Sequence, residues 1–267
     1  MNKRTLAGLL GVGILVLAAL FAPVLTPYAP NTQSVVERLT APSVKHILGT
    51  DELGRDVLSR MLYGGRVSMS VGIIAVLIAT FIGLLVGALA GYYGGVMDNI
   101  IMRTVDIILT IPTLFVILML VVFLGPSITN IMIIIGLTSW PDIARIIRAE
   151  VMSIKKAPYI DATRVLGLPK KMIIAKHIMP NALGPVFVYM IFGVSGAILT
   201  ESGLSFLGLG VQPPAASWGN ILSSGKDYIE TGWWLTAFPG LAIFLAVFSY
   251  NLLGEGLRDF FNPKLSR

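Results

Sequence analysis

Cysteine is absent from the sequence, histidine occurs twice, and charged residues are scarce. Each shortage removes a class of function. Without cysteine the chain has no disulfides, no thiolate metal ligands, no cysteine nucleophile and no lipidated amino-terminal cysteine. His46 and His177 stand far apart, so no metal site is expected from this chain alone. Charged residues are 13% of the 267 positions, against roughly 25% in a soluble domain. Hydrophobic residues make up 55%, and the mean hydropathy is +0.82. This is the composition of an integral membrane protein. Its apolar content excludes a disordered chain, and its unbroken apolar runs exclude a barrel of alternating strands.

Chemical motifs are also missing. A phosphate-binding loop needs Gly-x-x-x-x-Gly-Lys followed by Ser or Thr, and the nearest string, 219–227, fails on spacing and on its last residue. Gly8, Gly11 and Gly13 make no dinucleotide fingerprint, because they sit in an apolar run with no strand before it. They read as helix packing. Asp106, Asp142, Glu150, Glu201 and Glu255 fall near the ends of apolar runs, within reach of water or headgroups, so no proton relay or intramembrane catalysis is expected. The chain reads as a non-enzyme.

What is present is a set of six runs long enough to cross a hydrocarbon layer about 30 Å thick: 5–25, 68–91, 105–124, 128–147, 182–200 and 234–253. The first has Lys3 and Arg4 ahead of it, but it is too long for a signal peptide and Pro23 follows Ala22, so it reads as a retained anchor. Of the 20 Lys and Arg residues, Arg38, Lys45, Arg55, Arg60, Arg66 and Lys226 fall on one side of these runs and the remainder on the other, including Lys264 and Arg267. Basic residues favour the cytoplasm, which places both termini inside and explains the net charge without nucleic acid.

Three features lie between or within the runs. The connection 26–67 contains Gly-Thr-Asp-Glu-Leu-Gly-Arg-Asp-Val-Leu-Ser-Arg from Gly49, which reads as a turn entering an amphipathic helix at the outer interface. The connection 201–233 is rich in Gly, Ser and Pro, with Trp218, Trp233 and Trp234 suited to the headgroup region and room for a short re-entrant or surface helix. Gly83, Gly87 and Gly91 leave one helix face bare, which predicts a tight helix contact, within the subunit in preference to between subunits. Pro112, Pro141 and Pro239 fall inside runs and predict bends.

The segment 148–180 is long, basic and patterned. Ile154, Ile160, Val165 and Leu166, then Met172, Ile173, Ile174 and Ile178, recur at helical intervals on both sides of Gly167, which predicts two short helices with a tight bend. The first offers Ala162 and Thr163, small side chains beside Asp161 and Arg164. A partner groove can close around it, or it can lie on an anionic leaflet. The pattern alone leaves both open.

Asp161-Ala162-Thr163, then Gly167, then Ile178-Met179-Pro180 resembles the EAA loop of ABC importer permeases, with Asp in place of Glu, Thr in place of the second Ala and Met179 in place of Leu. The string beginning at Gly49, Trp140-Pro141, His177 to Asn181, Leu204 to Gly210 and Asn251 to Asp259 together resemble the dipeptide, oligopeptide and nickel permease family, and within it the second or C-type subunit. The resemblance implies an all-α membrane protein of the type I ABC importer fold, with an anchor and extracytoplasmic segment over 1–67 and a transmembrane domain over 68–267. It implies a coupling loop in which Tyr159, Asp161, Ala162, Thr163, Arg164, Gly167, Ile178 and Pro180 take part. The implied partners are a second homologous permease, two cytoplasmic ATPases that use ATP and Mg, and an extracytoplasmic solute-binding protein. No cofactor would be bound by this chain, which would lie in a bacterial or archaeal cell membrane. Di- and oligopeptides are the first cargo, nickel or a nickel chelate the second. A secondary carrier driven by an ion gradient and a membrane scaffold are the readings of a different class.

Overall fold

A computed structural model of the chain describes residues 3–261. Lys264 and Arg267, counted above for orientation, lie outside the described residues. The described chain is built from helices: α1 (Lys3–Leu20), α2 (Ala22–Leu25), α3 (Val57–Tyr93), α4 (Gly95–Thr110), α5 (Thr113–Leu124), α6 (Ile128–Ile154), α7 (Pro158–Val165), α8 (Lys170–Met172), α9 (Met179–Phe206), α10 (Trp218–Gly225) and α11 (Trp234–Phe261). A π-helical turn, Ile173–Ile178, joins α8 to α9, so that Lys170–Phe206 is one continuous rod.

Five of these helices are long and apolar enough to cross a membrane: α1, α3, α6, the α8–α9 rod and α11. The sixth crossing differs from the sequence expectation of one helix over 105–124. It is made by α4 and α5, which meet at 82°. Ile111 is extended at the break (φ −88°, ψ 123°), as a residue before proline prefers to be, and Pro112 has no N–H to continue the ladder. Pro141 and Pro239, by contrast, lie within continuous helices, as does Pro185.

The crossings alternate in direction. The ion pair between Arg4 and Glu255 puts the start of α1 beside the end of α11. Lys155 donates to the Tyr92 carbonyl, which brings the end of α6 to the end of α3, and Phe261 lies against Gly184 near the start of α9. Both ends of the described chain therefore share one end of the bundle with α7. The coil 26–56 and α10 occupy the other end.

Glycine sets several helix approaches. A Cβ at Gly8 would lie 2.4 Å from the Leu253 nitrogen, and one at Gly11 would lie 2.3 Å from the Ser249 hydroxyl, so α1 packs backbone to backbone on α11. Gly13 departs from the packing expectation, with nothing within 4 Å of such a Cβ. The Gly83, Gly87 and Gly91 stripe faces α6 of the same chain: a Cβ on Gly87 would come within 2.5 Å of the Ala144 carbonyl oxygen.

At the α10 end, two expectations are corrected. Residues 57–67 are the first three turns of α3, not a separate interfacial helix. Asp56 caps α3 by accepting from the Ser59 N–H at 2.8 Å, and the string from Gly49 supplies a buried cluster in which Asp51 takes Arg55 at 2.6 Å and Arg60 at 3.4 Å. His46 Nδ1 lies 2.9 Å from Asp56 Oδ1 in the same cluster. Trp218 and Trp234 are buried, not placed at a headgroup layer, and only Trp233 is exposed. Their indole N–H groups find internal acceptors, the Met61 and Thr50 carbonyls, each at 3.0 Å, which is what lets so large an amphipathic ring leave the surface. The short helix expected in 201–233 is α10, and it docks on the start of α3 over Gly64 and Gly65.

Candidate coupling loop and membrane cleft

Helix α7 begins at Pro158, whose missing N–H costs nothing at a helix start. It ends in a Schellman turn: the Leu168 N–H donates to the Thr163 carbonyl at 3.2 Å and the Gly167 N–H to the Arg164 carbonyl at 3.0 Å. Gly167 has φ +74° there, a value that a side chain resists, and Pro169 prevents the helix from resuming. The bend is therefore fixed by Gly167. The expected second short helix is not separate: it is the head of the α8–α9 rod. Its π-helical turn bonds the Met179 N–H to the Ile174 carbonyl, and Pro180 follows at once. The wider turn accommodates a proline ring that would clash with the carbonyl four residues earlier in a regular helix. Asn181 Nδ2 donates to the His177 carbonyl at 2.7 Å.

One face of this loop is anchored and the other is free. Ile160, Ile173 and Ile178 are buried in one apolar cluster with Tyr92, Ile147 and Val151, which fixes α7 against the ends of α3 and α6. Thr163 is buried too, and its hydroxyl donates to the Ile160 carbonyl at 2.7 Å. The outward face carries Tyr159, Ala162 and Leu166, spaced one turn apart, with Val165 beside them. Val165 is 88% and Leu166 76% exposed. Asp161 and Arg164 pair with each other at 2.6 Å on the flank. Pro180 is exposed where the rod emerges from the loop.

The loop is held in register by α6. Arg148 on α6 binds Asp98 of α4 through two nitrogens, Arg145 pairs with Asp106, and Lys155 also lies 5.5 Å over the Tyr92 ring. The glycine stripe brings α3 against the same stretch of α6. Movement of α7 is thus mechanically joined to α3, α4, α6 and α9.

Two of the carboxylates that the sequence places near span ends have settings it did not reveal. Glu201 is 0% exposed. It accepts from the Ser68 hydroxyl at 3.2 Å and the Ser205 hydroxyl at 2.7 Å, and Ser68 accepts in turn from the Trp218 backbone N–H at 3.2 Å. This chain ties α9, α3 and α10 together. The sequence signal was weak, because Ser68 is 133 positions from Glu201. Asp142 lies in mid-helix, about 21 Å along α6 from Ile128 and about 18 Å from Ile154 by helical rise. It lines a cleft of about 230 Å³ between α3, α6 and α9. Because α6 runs on past its apolar stretch 128–147, Asp142 stands five residues before the end of that stretch, where water or protein can reach it.

Residues 83–267 match the family described as binding-protein-dependent transport system inner membrane component, and residues 1–42 match the N-terminal TM domain of oligopeptide transport permease C. The chain is 42% identical to the dipeptide transport system permease protein DppC of Bacillus subtilis (strain 168), with 100% of this chain and 83% of the relative aligned. It is 43% identical to the oligopeptide transport system permease protein OppC of Escherichia coli (strain K12), over 98% and 88%. A third relative, the di/tripeptide transport system permease protein DppC of Pseudomonas aeruginosa (strain UCBPP-PA14), is 42% identical over 99% and 89%. Among solved structures, the MetNI methionine ABC transporter in inward-facing conformations aligns with a TM-score of 0.52 at 18% identity, covering 73% of this chain and 94% of that one. A crystal structure of an amino acid ABC transporter with histidines gives 0.51 at 18%, over 74% and 90%. These two share the fold, a type I ABC importer transmembrane bundle. Spanning helices, broken third crossing and looped α7 thus sit within a sequence match covering most of the chain, which belongs to the binding-protein-dependent transport system inner membrane component family, as an ABC importer permease subunit.

Proposed function

We propose that this chain forms half of the membrane pathway of an ATP-driven importer of di- and oligopeptides. The observation that carries the reading is the 42–43% identity, over essentially the whole chain, to permease subunits named for peptides. Nothing comparable favours nickel or an ion-gradient carrier. The other half is a homologous permease; two cytoplasmic ATPases use ATP and Mg, and a solute-binding protein delivers cargo. The exposed apolar face of α7 supports a docking role, because Tyr159, Val165 and Leu166 are left uncovered while the opposite face is fixed in the bundle. In this reading α7 lies in the cytoplasm and the α10 end faces outward. The basic residues around α7 support that orientation, and both ends of the described chain follow α7.

The test is reconstitution of the four-part membrane complex with its binding protein in vesicles. Uptake of a labelled dipeptide should require ATP and both ATPases. Uptake driven by an ion gradient without ATP overturns the reading, as does transport of nickel with no peptide flux. A reporter fused after Lys170 should lie in the cytoplasm, and one after Ser223 outside.

A further inference from the structure

Asp142 and Glu150 are the α6 carboxylates without an ion pair among the described residues, and of the two Asp142 lines the cleft between α3, α6 and α9. Asp98, Asp106, Asp161 and Glu255 each pair with an arginine. Asp142 makes no hydrogen bond or ion pair among the described residues. Asp142 is exposed on the lining of an open cleft. Ala79, Gly193 and Gly196 line the same cleft, with open space at Gly196, and Ser139, Thr200 and Tyr189 are the polar side chains that share the lining with it. No cation lines that cleft. Pro141, just before it, is buried in α6, so the carboxylate is mounted on a packed helix and not on a loop.

A largely apolar cleft with one unpaired carboxylate and several hydroxyls has a definite selectivity. It accepts a positively charged group and supplies hydrogen-bond partners to replace water. It repels a negative group. From this geometry we infer that Asp142 forms a cation-favouring subsite on the pathway, which takes an ammonium group of the peptide in transit. The inference rests on the peptide-importer reading above. Every peptide with a free amino terminus carries one such group, so the subsite admits peptides generally. A lysine side chain adds a second ammonium and an acidic side chain adds repulsion, and the subsite therefore grades peptides by side-chain charge.

The experiment uses the complete reconstituted transporter with its own binding protein, supplied with Ala-Lys and Ala-Glu together. The uptake ratio is compared between variants of this subunit alone. Preferences of the binding protein are the same in every variant and cancel from the comparison. Asp142→Asn should lower the Ala-Lys to Ala-Glu ratio at least fivefold, and Asp142→Glu should keep it within twofold of the parent. An unchanged ratio in Asp142→Asn, with uptake intact, overturns the subsite and leaves the importer reading standing. If Asp142→Asn fails to assemble and Asp142→Glu restores assembly, the carboxylate is an ion pair with a neighbouring subunit, and the subsite is overturned. Failure of both variants to assemble assigns a structural role and overturns it equally. If the parent complex hydrolyses ATP but takes up neither peptide, the importer reading itself falls, and this inference with it.

Discussion

The two ends of the bundle are finished differently. At the α10 end a set of buried polar groups pairs internally: Asp51 holds two arginines, Trp218 and Trp234 donate to carbonyls, and Glu201 is shared by two serines. At the α7 end the anchoring face is apolar and closed, but the outward face leaves Val165 and Leu166 uncovered. A finished end resists motion, because each buried polar group loses a partner when anything moves. Uncovered apolar side chains occur at both ends, Val35, Val36 and Val44 at the α10 end included, so the contrast lies in the anchoring. Buried polar pairs hold the α10 end, and apolar packing holds α7.

The largest effect should come from breaking the frame. Trp218 is buried, donates to Met61 and fills the space over Gly65. Trp218→Ala leaves a cavity and removes the indole hydrogen bond to Met61, at a cost of about 3–5 kcal/mol. A thermal-shift measurement in detergent should show a large loss of stability, with release of α10 detected by faster proteolysis within 207–233. A variant as stable as the parent would mean that the α10 end is no more fixed than the α7 end.

Next is the bend. Gly167→Val forces a β-branched residue to φ +74°, with no crowding around it, so the cost of about 1–3 kcal/mol is backbone strain alone. The strain falls on α7 and leaves the frame untouched. The complex should assemble at near-normal yield, yet transport should fall about tenfold or more because α7 is presented at the wrong angle. Normal transport would show that α7 tolerates reorientation, and that its docking is not rigid.

How much of this contrast could be read from the sequence depends on how far apart the partners lie. The bend at Gly167 and the small side chains at Ala162 and Thr163 are local, and they stood out by spacing. The stripe at Gly83, Gly87 and Gly91 was legible as a contact face, and its packing on α6 fits the preference for an intrasubunit contact. The frame was not legible, because its bonds join residues such as Ser68 to Glu201 and Trp234 to Thr50 across more than a hundred positions. Nor does proline alone separate the broken crossing at Pro112 from the unbroken helices through Pro141 and Pro239. Pro141 and Pro239 are buried within packed helices, whereas Pro112 is exposed, and packing decides whether a helix continues past the missing bond. The position of Asp142 in mid-helix followed from α6 running on to Ile154, beyond its apolar stretch.

A smaller effect on stability, but a clear one on function, is expected at the uncovered face. The double substitution Val165→Ser and Leu166→Ser alters side chains that touch little in this subunit. Stability should change by no more than about 0.5 kcal/mol. Co-purification of the ATPases with the permease pair should fall at least fivefold if this face is the docking surface. Undiminished co-purification would assign the face to the lipid surface and move the search for the docking element to the end of α11 around Arg258.

The smallest effect is expected at Asp161, although it occupies the first position of the loop's EAA-like motif. Its carboxylate is exposed and bonds Arg164 one turn later at 2.6 Å. An exposed pair of this kind contributes roughly 0.2–0.5 kcal/mol, and Arg164 keeps a second acceptor, the Lys155 carbonyl at 3.4 Å. Asp161→Asn should therefore leave stability, assembly and transport within about twofold of the parent. Arg164→Met removes the cation that reaches both Asp161 and the end of α6, and should reduce transport more than Asp161→Asn does. The order of these two variants separates two ways in which the flank of α7 could serve coupling. If Asp161→Asn is the more damaging, the carboxylate bonds directly to the ATPase and the local pair with Arg164 is exchanged for that contact on docking. If Arg164→Met is the more damaging, the arginine brace that holds α7 to α6 carries the motion, and the acidic residue is only its partner.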